Sequence, residues 1–80
     1  MRKQVEAFAK EMESRLIEND HKTGWHDCSY DFLINNLNRN LRKLPALIHL
    51  NETEKIRKTA ADIANYAMMI ADNEGGLKSE

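Results

Sequence analysis

Residues 60–71, AADIANYAMMIA, constrain this chain more than any other stretch. Ile56, Ala60, Ile63, Ala67 and Ile70 fall on one face of a helix, and Ala61, Ala64, Met68 and Ala71 fall on a second. A helix that is apolar on most sides is usually buried all round. The chain has 80 residues, one small domain, and two further helices of ordinary length struggle to cover such a surface. A domain this short often draws stability from a partner chain. The pattern therefore predicts a homodimer with this helix near its centre.

Only three Gly and one Pro occur, and no alternating apolar run of useful length, so the fold is expected to be all-α. The spacing predicts a single domain over residues 1–80. It comprises a helix over 3–19, a loop over 20–28, a helix over 29–44, a short connection over 45–51, a helix over 52–73 and a tail over 74–80. Val5, Phe8, Ala9, Met12 and Leu16 share one face of the first helix. Ser29 suits the N-cap of the second, and Asp31 favours the positive end of its dipole. Leu33, Leu37, Leu41 and Leu44 then form a stripe. Pro45 lacks a backbone donor and clashes with the preceding turn, so the helix is expected to end or kink near Leu44, with ALIHL (46–50) a short helical continuation or a packed connection. Asn51 is the expected N-cap of the third helix, with Glu54 reaching back as in a capping box. Met68 and Met69 read as core and dimer seam, or as an adaptable binding surface.

The formal net charge is −1, so overall charge points neither to nucleic acid nor to a membrane surface. Cys28 is the one cysteine, which excludes an intrachain disulfide and suits a reducing, cytoplasmic setting. The start MRKQVEAFAKEME has no apolar run of signal-peptide length. No segment approaches the roughly 20 apolar residues of a membrane span. Charge is unevenly placed, however. Residues 35–44 carry Arg39, Arg42 and Lys43 without an acid, and residues 55–58 add Lys55, Arg57 and Lys58. These runs are solvated helix faces, or one stripe for nucleic acid if the second and third helices pack antiparallel.

DHKTGWHDC, residues 20–28, is the densest concentration of reactive side chains. His21, His26 and Cys28 are borderline or soft metal ligands, yet their spacing matches no common structural zinc signature. Cys28 as a nucleophile lacks a recognisable orienting group, and a half-buried structural thiol is the simpler reading. Asp20 and Asp27 suit turns or caps.

NDHKTGWHDCS (19–29), a leucine-striped helix, and then AADIANYAMMIADN (60–73) together resemble the MazG-like all-α nucleoside triphosphate pyrophosphohydrolases, most closely their short, phage-type members. The resemblance covers about nine-tenths of the chain. It implies a helical bundle assembled as a dimer or a dimer of dimers. It also implies Mg²⁺-dependent hydrolysis of a nucleoside triphosphate to the monophosphate and pyrophosphate. Such chemistry needs several carboxylates converging on Mg²⁺, which prefers oxygen ligands.

The family pattern is Glu-x-x-Glu on the second helix and Glu-x-x-Asp on the third. Its first pair falls on Asn40 and Lys43, and its second on Thr59 and Asp62; a frequent preceding acid falls on Arg39. Asp62 alone survives, and no acid occurs between Asp31 and Glu52 to rescue another register. The expectation is a degenerate relative with no catalytic residues, no resident metal and no cofactor. It would act by binding a nucleotide, phosphate or acidic protein partner, conceivably as a phage-encoded inhibitor.

The resemblance places the loop beside the nucleotide pocket. Lys22 would meet phosphate, and Trp25 would pack on a base or, more simply, cap the core or a dimer interface. Arg39 and Lys43 would replace the metal as phosphate receivers. Asp62 and Asn65 complete the expected ligand-binding set, because an unpaired buried amide is costly and Asn65 needs a partner. Two alternatives stand beside this reading. One is an active pyrophosphohydrolase with a rebuilt Mg²⁺ site using Asp62, Glu52, Glu54 or Asp72. The other is a nucleic-acid-binding helical module, marked by a steep fall of affinity with salt.

Overall fold

The computed structural model describes residues 1–19 and 24–77. Three helices make the fold: α1 (Lys3–Glu18), α2 (Tyr30–His49) and α3 (Thr53–Asn73), with one 3₁₀ turn, Trp25–Asp27, before α2. No strand occurs among the described residues. None of their helices is long and apolar enough to cross a membrane.

Local chemistry sets each boundary. Ser29 Oγ accepts from the Phe32 N–H at 3.1 Å and caps α2, as its position predicts. Pro45 does not end α2, which continues to His49 and absorbs most of the connection expected over 45–51. A proline costs one backbone donor. The half-buried Leu44 and Leu47 on either side of it keep α2 packed along α3. Asn51 does not cap α3. It takes φ 56°, the left-handed region that Asn tolerates better than most residues, and turns the chain; Glu52 precedes α3 without a side-chain cap. At the far end Gly75, at φ 85°, closes α3. Its N–H donates to the Asp72 carbonyl at 3.0 Å, and that of Gly76 to Ala71 at 2.8 Å, a Schellman pattern. The expected tail thus begins as an ordered helix stop, with 78–80 outside the described residues.

Packing centres on α3. It packs against both α1 and α2, whereas no Cα of α1 comes within 8 Å of one in α2. A groove therefore opens between them with α3 as its floor. The fully buried apolar core is small: Leu33 at 1% exposure and Ala61 at 0%. Ile63, Ala64, Met68 and Ile70 stay half-buried and Ala67 exposed, so one chain does not enclose α3. Tyr30, Leu41 and Ile48 on α2 are also exposed. The chain exposes 6277 Å², against about 5,000 Å² for a compact monomer of its mass. Its radius of gyration is 13.4 Å, against roughly 11.6 Å for a compact domain of this length.

Candidate functional site

The groove widens into a cleft of about 620 Å³, within the range of about 300–1,000 Å³ that small-molecule sites occupy. Because α2 and α3 form an antiparallel hairpin, its lining changes character along their length. Trp25, Phe32, Tyr66 and Met69 line one end. Arg15, Asn36, Arg39, Asn40, Asp62 and Asn65 line the middle. A neighbouring recess of about 280 Å³ shares Arg15, Asn40, Lys43 and Asp62, and adds Lys55, Lys58 and Thr59.

Arg15 controls the charge at the centre. Its Nε donates to Asp62 Oδ1 and its Nη2 to Asp62 Oδ2, both at 2.9 Å, a bidentate pair bridging α1 and α3. Nη1 reaches Glu18 at 2.8 Å. The hydrogen bond to Asp62 is the main reason that the Arg15 pKa is raised. Both oxygens of Asp62 are therefore engaged. Lys58 pairs with Glu54 at 3.3 Å and Arg57 with Glu11 at 3.0 Å. Lys43 and Lys55 have no acidic partner among the described residues.

The aromatic end is latched to the end of α3. Trp25 Nε1 donates to Asp72 Oδ2 at 3.0 Å, and the Asn73 amide donates to the Trp25 carbonyl at 3.1 Å. His26 Nδ1 lies 2.9 Å from Asn73 Oδ1. Half-buried, Trp25 is held with its ring beside the cleft. Burial, followed by the charge of Asp62, raises the Tyr66 phenol pKa.

Of the residues singled out from sequence, Trp25, Arg39, Lys43, Asp62 and Asn65 line this one cleft. Lys22, with Asp20 and His21, lies outside the described residues. Two contributors, Arg15 and Asn36, carry no expectation from the sequence. Arg15 continues the three- and four-residue spacing of Val5, Phe8 and Met12, and a charge on that repeat is the signal it left in the sequence. Asn36 is buried beside the leucine stripe. Asp72, an acid of the alternative metal-site reading, instead accepts from Trp25.

The donor set does not fit Mg²⁺. Asn40, Lys43, Thr59 and Asp62 do converge on the recess, but they offer one carboxylate, already bound by a guanidinium, beside an ammonium group. No group of three or more His, Cys, Asp or Glu side chains among the described residues is placed to hold a metal ion. No family model, curated protein or solved structure significantly matches this chain.

Proposed function

We propose that this protein is a degenerate MazG-like pseudoenzyme, a homodimer that binds a nucleoside triphosphate without Mg²⁺ and does not hydrolyse it. One observation carries the reading: Arg15 holds both oxygens of Asp62, the only acid among the described residues that line the cationic recess, which also carries Lys43, Lys55 and Lys58. Anionic phosphate is favoured there, and a divalent cation is not. The aromatic end, with Trp25, Phe32 and Tyr66, supplies faces on which a base can stack. The ends of the cleft thus match the two ends of a nucleotide.

The test is a titration with nucleoside triphosphates, with and without Mg²⁺, following Trp25 fluorescence and assaying pyrophosphate in the same samples. Binding that is indifferent to Mg²⁺, with no pyrophosphate, is the expected result. Lys43→Glu is expected to weaken binding severalfold, since it reverses an exposed charge lining the recess. Mg²⁺-dependent pyrophosphate release that disappears in Asp62→Ala would overturn the proposal in favour of a rebuilt enzyme. Failure to bind any nucleotide, with salt-sensitive binding to an oligonucleotide, would favour the nucleic-acid module instead.

The dimer rests on surface area. One chain exposes roughly 1,300 Å² more than a compact monomer of its mass, and a standard interface covers about 800 Å² per partner. The half-buried apolar positions of α3 and the exposed Tyr30, Leu41 and Ile48 of α2 are the surface a second copy would cover. Sedimentation equilibrium at micromolar concentration is expected to give the mass of two chains; a single-chain mass throughout would remove the dimer.

A further inference from the structure

Trp25 owes its place to the last turn of α3. Its Nε1–H donates to Asp72 Oδ2 at 3.0 Å, and its carbonyl accepts from the Asn73 amide at 3.1 Å. One side chain thus pins the indole, and the next pins the backbone that carries it. The Asn73 oxygen faces His26 Nδ1 at 2.9 Å. An amide oxygen only accepts, so that ring nitrogen carries the proton and ties the turn down a third time. The glycine stop that follows, with the Gly75 N–H donating to the Asp72 carbonyl at 3.0 Å, fixes the backbone from which these anchors hang. The side chains of Asp72 and His26 are 27% and 69% exposed, so neither belongs to the buried core.

Tyr66 and Met69 lie two turns and one turn before Asn73 on the same helix, and they line the same end of the cleft as Trp25 and Phe32. One rigid element therefore carries two of these side chains and anchors a third. We infer that Asp72 and Asn73 are positioning residues for base recognition: they hold the Trp25 indole beside Tyr66, Met69 and Phe32, so that the base of a nucleotide meets a preformed aromatic wall. This inference rests on the nucleotide-binding reading above. A ring already held in place loses little freedom when a base stacks on it. Every base has a π-face, so such a wall strengthens binding without choosing among bases.

The test is calorimetric titration of the full chain in EDTA with ATP and with ribose 5-triphosphate, which lacks only the base. Asp72→Ala and Asp72→Asn remove the same charge, but only asparagine keeps an oxygen for the indole N–H. The expected result is that the wild type binds ATP more tightly than ribose 5-triphosphate. Asp72→Ala is expected to weaken ATP about threefold or more and to leave ribose 5-triphosphate unchanged, while Asp72→Asn keeps most of the ATP affinity. Trp25 is the one tryptophan, so its fluorescence anisotropy in the free protein reports the anchor directly and should be lower in Asp72→Ala than in Asp72→Asn. Should Asp72→Ala not fold, Asn73→Ala is expected to show the same selective loss. Equal loss for both ligands, equal loss in both Asp72 variants, or no loss at all overturns the positioning role. Equal wild-type affinity for the two ligands overturns it as well and leaves the phosphate site standing. Failure of both to bind overturns the nucleotide reading and this inference with it.

Discussion

Arg15→Leu is expected to lower the thermal midpoint by about 10–20 °C at fixed protein concentration, equivalent to about 2–3 kcal/mol for a domain of this size. The side chains of Arg15 and Asp62 are 18% and 21% exposed, so the pair is largely withdrawn from water. Removing the guanidinium strands a carboxylate there without the two donors that hold it. Breaking a fully buried pair costs about 3–5 kcal/mol, and partial exposure reduces that figure. Exposed pairs contribute only about 0–1 kcal/mol. A fall of less than about 5 °C would therefore mean that the pair behaves as a solvated one. Arg15→Leu with Asp62→Leu is expected to recover most of the loss, because apolar side chains replace a buried pair at little cost. Recovery would separate the penalty of a stranded charge from any need for an ion pair.

Leu33→Ala is expected to be comparably severe, at about 3 kcal/mol within the 2–5 kcal/mol span of buried leucine truncations. Among the described residues, Leu33 is the only large side chain that is fully buried. A chain of this length has a total stability of roughly 4–12 kcal/mol. The variant should therefore unfold about 12–24 °C earlier in a circular dichroism melt. Leu33→Met, which nearly conserves volume, is expected to cost less than about 1.5 kcal/mol. If Leu33→Ala melted with the wild type, the core would have to lie elsewhere, most simply across the dimer interface.

How far these features could be read from the sequence depended on their range along the chain. Local signals were legible: the helical periodicity, the Ser29 cap, and an α3 too apolar for one chain to enclose. Proline at 45 misled because its local penalty is outweighed by packing along α3, a tertiary effect. Asn51 misled because Asn serves equally as a helix cap and as a left-handed turn residue. The leucine stripe was seen, but its burial was not graded, and Leu33 is enclosed while Leu41 is exposed. Within the site, Asp62 and Asn65 were visible as polar interruptions of an apolar helix. Their partners were not. Arg15 meets Asp62, and Met12 meets Asn65, across most of the chain, and no spacing rule connects α1 to α3.

Because the backbone of α1 packs close to α3 and stays more than 8 Å from that of α2, the order of synthesis works against it. Translation makes α1 before α2, and α3, on which α1 packs, after both. The 16 residues of α1 contain no fully buried side chain, and an isolated helix of that length is marginal in water. From Glu18 to Asn73 the ribosome must add 55 residues, roughly 3–11 s at about 5–20 residues per second. Through that interval the amphipathic start of the chain is a nascent segment with nowhere to dock. The α2–α3 hairpin, whose contacts are local in sequence, is the unit able to form first. Closure of α1 onto the hairpin then follows, and it completes the walls of the cleft.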